Sequence, residues 1–211
     1  MTTVFPEKTQ CPICDTAITV YYIGSTNNFG GQSTDFRSHA AGTDPLHVVV
    51  SQCGDCGYSD YSNYFIKPRD LSEAVKARIR EEIKPSKQAL HSRIYETIAQ
   101  IAQIRGANSF EIADTYLKTA WCCDDEDDHD GEIAFRKLAI KNFIAALEDD
   151  ELENNQMPIT YLVGELYRRI GDAENARLWF DRVITADDNS EKMTRLRAIA
   201  QRQRDDPKAK F

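Results

Sequence analysis

The 211-residue sequence lacks any long run of apolar residues, and it is short of positive charge. A helix that crosses a membrane needs roughly 20 consecutive apolar residues, and no stretch approaches that length. Lys and Arg number 26 against 34 Asp and Glu, which gives a formal net charge of −8. Proteins that bind nucleic acid through phosphate contacts carry basic surfaces, so this balance disfavours nucleic acid as the main partner.

The sequence also lacks the short motifs of common enzyme sites. It has no glycine-rich phosphate loop, no HExxH metalloprotease motif and no nucleophile beside a plausible base. Two of its histidines, His91 and His129, stand isolated. The first residues lack the basic start, apolar segment and cleavage site of a secretory signal, so we expect a cytoplasmic protein with reduced thiols.

Against this background, four of the six cysteines form two pairs with CxxC spacing, Cys11–Cys14 and Cys53–Cys56. Two thiolates in one tight turn can reach a single metal ion, and Zn²⁺ prefers four tetrahedral ligands. We therefore predict one structural zinc ion, with the four cysteines Cys11, Cys14, Cys53 and Cys56 as ligands. Because thiolates fill every position, no coordination site remains for water or substrate. Gly54 and Gly57 should let the backbone of the second turn fold closely around the metal ion.

Other interpretations of the cysteine pairs are disulfide bonds, a thioredoxin-like redox pair and an iron–sulfur cluster. His39 or His47 could also replace one cysteine as a ligand. A site with only three cysteine ligands would leave an open position that activates water, which would favour an enzyme.

The segment around the cysteines indicates a zinc-ribbon-like module over residues 1–69. After a polar lead of ten residues, strands are predicted at Ile18–Ile23 and His47–Ser51, joined by a long loop over Gly24–Pro45. The aromatic run Tyr58–Phe65 predicts a third strand that packs the module onto the helices, or alternatively a stacking platform for bases. The net charge over residues 1–70 is −3, which disfavours phosphate as a ligand.

Residues 70–211 change to helical periodicity, so the predicted fold class is α+β, mostly α. Asp70 or Ser72 is the candidate N-cap of the first helix and Ser86 that of the second, and Gly106 and Gly171 are candidate helix ends. The last helix has apolar residues for capping the helical domain; its basic residues alternatively suggest contact with an acidic partner or a membrane surface. The predicted helices span about 70–84, 86–105, 109–123, 132–147, 159–170, 173–185 and 190–204, with an acidic connector at 148–156.

The acidic stretch 124–130 lies between two predicted helices. It fits a calcium-binding EF-hand loop poorly, because Lys137 stands where a bidentate carboxylate is required. We interpret it as a solvated loop that binds cations weakly. The adjacent Cys122 and Cys123 point about 100° apart on a helix and are interpreted as packing residues.

The sequence resembles two known families, one in its helical part and one over most of its length. The spacing of Gly164, Tyr167, Gly171, Ala176 and Phe180 is similar to the tetratricopeptide repeat, with departures at Val183 and Asp188. This resemblance implies paired antiparallel helices that bind a protein or peptide. The chain over roughly residues 10–185 also resembles a bacterial family catalogued as a domain of unknown function, which implies the architecture and no activity. The matching positions are Cys11, Cys14, Arg37, Ser38, Asp44, Pro45, Cys53–Tyr58, Ala120, Trp121 and Tyr161–Arg169.

These observations favour a non-catalytic zinc-binding adaptor whose helical repeats bind a protein or peptide partner. The alternatives are a nucleic-acid-binding zinc-ribbon regulator and a metal- or thiol-dependent enzyme. The sequence does not assign roles to Arg37, Ser38 and Asp44, or an oligomeric state. The candidate partner-binding residues are Tyr58, Tyr61, Tyr64, Tyr167, Arg168, Arg169 and Arg177.

Overall fold

The computed structural model describes residues 2–85, 90–149, 152, 156–188 and 190–210. Within these residues the four strands lie before residue 62 and most of the rest is helical, which confirms the α+β, mostly α prediction. The strands are β1 (Thr3–Gln10), β2 (Ala17–Ser25), β3 (Val50–Gln52) and β4 (Ser59–Tyr61). The helices are α1 (Pro45–Val48), α2 (Asn63–Ile66), α3 (Glu73–Glu82), α4 (His91–Ile104), α5 (Ser109–Asp125), α6 (His129–Glu148), α7 (Gln156–Arg169), α8 (Ala173–Ile184) and α9 (Glu191–Asp205).

The strands form two separate antiparallel hairpins, β1 with β2 and β3 with β4. Each hairpin carries one cysteine pair in its turn, so the two predicted strands, at 18–23 and 47–51, belong to different hairpins. The supposed polar lead is strand β1. The predicted strand at 47–51 is shortened, because the Asp44 side chain accepts a hydrogen bond from Leu46 N and Pro45 occupies the first helical position, which together start α1.

The helix ends follow their local signals closely. Ser72 Oγ accepts from Val75 N and starts α3, as predicted. Gly106 and Gly171 adopt left-handed φ angles of 71° and 83° at the ends of α4 and α7. Helix α6 begins about three residues earlier than predicted, because the Asp128 side chain accepts from Gly131 N. The predicted cap at Ser86 and most of the connector 148–156 lie outside the described residues.

The cysteine hairpins share a hydrophobic core with α3 and α4. Cys11 and Cys53 lie in one buried cluster with Ile79, Ile83 and Ile101. This cluster crosses the predicted boundary near residue 70. A larger cluster lies between α4, α5, α6 and α7, so the helical part also has a core of its own.

Helices α7 and α8 pack closely where the sequence has a glycine. A Cβ placed on Gly164 would lie 3.0 Å from the Phe180 ring, so only a very small residue fits there without displacing that ring. The Gly171 turn joining the two helices is short, which makes them antiparallel neighbours. Among the described residues, no helix is both long enough and apolar enough to cross a membrane.

Candidate metal centre

The two cysteine pairs have the same backbone arrangement. In the first turn, Asp15 N donates to Cys11 O at 2.9 Å, and in the second, Gly57 N donates to Cys53 O at 2.9 Å. Asp15 and Gly57, each directly after the second cysteine of its pair, have left-handed φ angles of 61° and 79°. The turns are therefore equivalent, and each directs two sulfur atoms toward the same point.

The four sulfur atoms lie within 4.8 Å of one another. The Cys11 and Cys56 Sγ atoms are 3.6 Å apart, as are those of Cys14 and Cys53. A disulfide would bring two sulfur atoms to about 2 Å, and all four cysteines are free thiols. Sulfur atoms at the corners of a tetrahedron around zinc, with bonds of about 2.3 Å, lie about 3.8 Å apart. The cluster therefore has the size and donor set to hold a metal ion.

Surrounding residues hold the two cysteine turns in place. Cys11 and Cys53 are buried, whereas Cys14 and Cys56 are half-buried. Arg80 of α3 donates from Nε to Ile13 O at 3.1 Å, which fixes the first turn against that helix. Thr16 links the turns, because its hydroxyl donates to Asp55 Oδ2 at 2.8 Å. These hydrogen bonds join each turn to its neighbours, which suits a structural site.

The close approach of the thiols also changes their acidity. The hydrogen bond between Cys11 and Cys56 lowers the pKa of Cys11 and raises the pKa of Cys56. Burial raises the pKa of Cys53. Metal ligands must be thiolates, so metal binding at this cluster would release protons.

The two histidines considered as alternative ligands lie elsewhere. His39 Nε2 is 2.7 Å from Ser33 Oγ, and His47 Nε2 is 2.9 Å from Asp125 Oδ2. Among the described residues, the four cysteines are the only group of His, Cys, Asp and Glu side chains arranged to hold a metal. The acidic stretch 124–130 forms no such group within that part of the chain.

The acidic stretch instead joins structural elements. Glu126 accepts from Ser92 N at 3.1 Å, which ties the end of α5 to the start of α4. Asp125 accepts from both Arg37 and His47. Cys122 and Cys123, directly before it, are both buried, in agreement with their interpretation as packing residues.

The residues of unassigned role meet at the same place. Arg37 is 6% exposed and donates to Asp44 at 2.8 Å and to Asp125 at 2.6 Å. Arg37, Ser38, Asp44 and Trp121 line one cavity of about 570 Å³ between the loop after β2 and helix α5. Arg37 and Asp44 therefore fasten that loop to α5.

The three candidate tyrosines near the cysteines differ in exposure. Tyr58 is fully buried, its hydroxyl donates to Asp60 Oδ2, and its ring meets Phe65, so it packs the core and offers no surface to a partner. Tyr61 and Tyr64 are half-buried. Tyr61 accepts from Lys118 Nζ at 2.9 Å, and the Arg69 guanidinium lies 3.5 Å from the centre of the Tyr64 ring.

The four candidates on the helices also differ. Arg168 and Arg169 both donate to Glu165, which is fully buried, so their guanidinium groups are engaged within the chain. Tyr167 is half-buried at the edge of the helical core, and Arg177 is exposed on α8. Of these four, Tyr167 and Arg177 keep a side chain available to a partner.

Sequence reasoning missed the buried polar group that surrounds Glu165. The segment 33–37, here called the crossing loop, reaches from the β2 side of the molecule into the helices. Thr34 donates to Glu165 Oε1 at 2.6 Å and its carbonyl accepts from the Tyr161 hydroxyl at 3.0 Å. Asp35 accepts from Trp121 Nε1 at 2.9 Å.

Comparison with known proteins identifies one family. The family model described as "Uncharacterized protein conserved in bacteria (DUF2225)" matches residues 4–206. That span includes both cysteine pairs and every described helix from α1 to α9. No curated protein and no solved structure matches the chain.

Proposed function

The chain belongs to this uncharacterised bacterial family, and we propose that it is a non-catalytic adaptor that holds one structural zinc ion and binds a protein or peptide through its helices. The observation that carries the proposal is the closed cluster of four free cysteines. Four thiolates complete the coordination of zinc, so the ion would fasten the two hairpins together without performing chemistry. Free thiols also fit a cytoplasmic location.

Zinc is preferred to other metals on the chemistry of the donors. Thiolate ligands select zinc, Cu(I) or iron–sulfur clusters rather than magnesium or calcium. The sulfur separations suit one tetrahedral ion, and the hairpin turns resemble the knuckles of structural zinc sites. The residues that would hold the ion are Cys11, Cys14, Cys53 and Cys56.

The adaptor role is supported by the packing of the helices. The contact of Gly164 with Phe180 fits the tetratricopeptide-like spacing, in which small residues let paired helices approach closely. Helix pairs of this kind present extended grooves to other proteins. The face that carries Arg168 and Arg169 is already covered by the crossing loop, so a partner would contact another face.

The first experiment measures metal content in protein purified without added metal, together with thiol titration under denaturing conditions, with and without a chelator. We expect one zinc ion per chain and four thiols protected until chelator is added. Protection of only three thiols, or a coloured iron centre, would reject the structural zinc site. The adaptor role is tested by co-purification of the tagged full-length chain from its native host, followed by reconstitution with the purified partner.

A further inference from the structure

The groove between α6 and α7 is a surface that nothing within the described chain covers. We infer that it binds an acidic amphipathic helix of the protein partner, an inference that rests on the function proposed above. The groove has a volume of about 530 Å³. Its apolar floor includes Ile140, Ile144, Tyr167 and Ile170.

The floor is held in place by the core beneath it. Ile140 is 4% exposed and belongs to the main hydrophobic cluster, on which Ile144, Tyr167 and Ile170 pack while remaining half-buried. A partner would therefore meet a preformed surface and would not need to open the helices. An apolar groove between two helices suits the apolar face of a third helix.

The positive charges on the rim of the groove favour an acidic partner. Lys137 and Lys141 stand one helical turn apart on α6, both are exposed, and within the described chain neither forms an ion pair. Among the other lysines, Lys118 and Lys76 pair with Asp114 and Glu73, whereas Lys8 and Lys67 form no ion pair within the described residues. The rim lysines are distinguished by their place beside the apolar floor of the groove. In a protein with a net charge of −8, two unpaired cations beside an apolar groove favour a segment that carries Asp or Glu along one edge.

The groove also has a direction. Along α6 the rim runs from Lys137 through Lys141 to Glu148, which lines the groove close to the end of the helix. An acidic edge on the partner would thus lie toward the start of α6, and a basic or neutral residue would lie beside Glu148. The Arg168 and Arg169 guanidinium groups take no part, because Glu165 binds both.

The test uses the full-length chain and fluorescein-labelled amphipathic helical peptides of about 16 residues, long enough to form a helix on binding. One peptide carries Leu on one face and Glu along its edge, and a matched peptide carries Gln in place of Glu. Fluorescence anisotropy should show about tenfold tighter binding of the Glu peptide, as expected for two rim charge pairs. The double variant Lys137→Glu/Lys141→Glu should remove that preference. The control Lys8→Glu/Lys67→Glu makes the same charge change at exposed positions distant in sequence from the groove. This control should keep the preference for the Glu peptide.

The outcomes distinguish failure of the groove assignment from failure of the adaptor function. Equal binding of the Glu and Gln peptides, or a preference that survives Lys137→Glu/Lys141→Glu, would overturn the groove assignment. A natural partner that co-purifies equally with that double variant would also overturn it, while the adaptor function would stand. If neither peptide binds and the wild-type chain retains no protein partner, both the groove and the proposed function fail. Circular dichroism of both double variants checks that the helices are intact.

Discussion

Asp35 and Arg136 are 101 residues apart in the chain, and Arg136 Nη1 donates to Asp35 Oδ2 at 3.0 Å in the protein interior. Both side chains are 1% exposed. Arg169 Nη2 lies 3.4 Å from the other carboxylate oxygen. Since buried charges are costly without partners, this group ties the crossing loop to α6 and α7.

Removal of the carboxylate should therefore be strongly destabilising. We expect Asp35→Ala to lower the free energy of unfolding by about 2–4 kcal/mol, because the buried Arg136 loses one carboxylate partner and keeps Glu132, while Trp121 Nε1 loses its acceptor. Urea denaturation followed by circular dichroism measures the change. The matched control is Asp187→Ala at an exposed position, with an expected change within about 0.5 kcal/mol. Similar effects for both variants would show that the buried pair contributes little.

The buried carboxylate of Asp35 should make the free energy of unfolding depend on pH. Burial alone would raise the pKa of Asp35, but the charges of Arg169 and Arg136 hold it below its ordinary value of 3.8. A depressed folded-state pKa stabilises the fold above the unfolded value, and this contribution is lost as the pH falls below about 4.

Urea unfolding of the wild type and Asp35→Asn from about pH 7 to about pH 3 tests this dependence. The stability difference between the two proteins should shrink as the pH falls, whereas metal loss in acid affects both alike. A difference that stays constant over this range would contradict the assignment.

The second cysteine turn offers a matched pair of glycine substitutions. Gly57 has a φ of 79°, and a Cβ there would lie 2.5 Å from Lys84 O, whereas a Cβ on Gly54 meets nothing within 4 Å. We expect Gly57→Ala to cost at least about 2 kcal/mol in unfolding free energy and to weaken metal retention. Gly54→Ala should change the unfolding free energy by less than about 0.5 kcal/mol. Equal behaviour of the two variants would reject the close packing of this turn against the end of α3.

Loss of one cysteine tests whether residues 1–69 and 70–211 are separate folding units. Cys53→Ser should lose the metal and unfold the hairpins, while Cys123→Ser, at a cysteine outside the cluster, should keep it. Because α5 to α7 have their own core, most of the helical circular dichroism should remain in Cys53→Ser. Loss of most of that signal would show that the shared cluster with Ile79 and Ile101 makes the chain one cooperative unit.

Several features could be predicted because they depend on neighbouring residues. The helix that starts at Ser72 and the helices that end at Gly106 and Gly171 follow from side-chain caps and left-handed glycines within a few residues. The cysteine cluster was predictable for a similar reason, since CxxC spacing places two sulfur atoms in each turn.

Other features have no such local signal. Strand β1 contains Pro6 and shows no alternation of apolar and polar residues. It needs none, because most of its residues are exposed and pack against no core. Helix α1 is only four residues long, and Asp44 and Pro45 start it in a segment rich in strand-forming valines. Short elements of this kind are decided by a cap or a pairing strand and not by periodicity.

The grouping of the four cysteines, the helix ends at Ser72, Gly106 and Gly171, and the mostly helical class follow from the sequence alone, because each depends on residues close together in the chain. The burial of Asp35 and Thr34 among Arg136, Glu165 and Arg169, and the place of Tyr58 in the core, became visible from the three-dimensional packing. The physical reason is that the Asp35 carboxylate can be buried because Arg136, a partner distant in sequence, neutralises it. That partner is brought near by the packing of whole helices, which spacing along the chain does not specify.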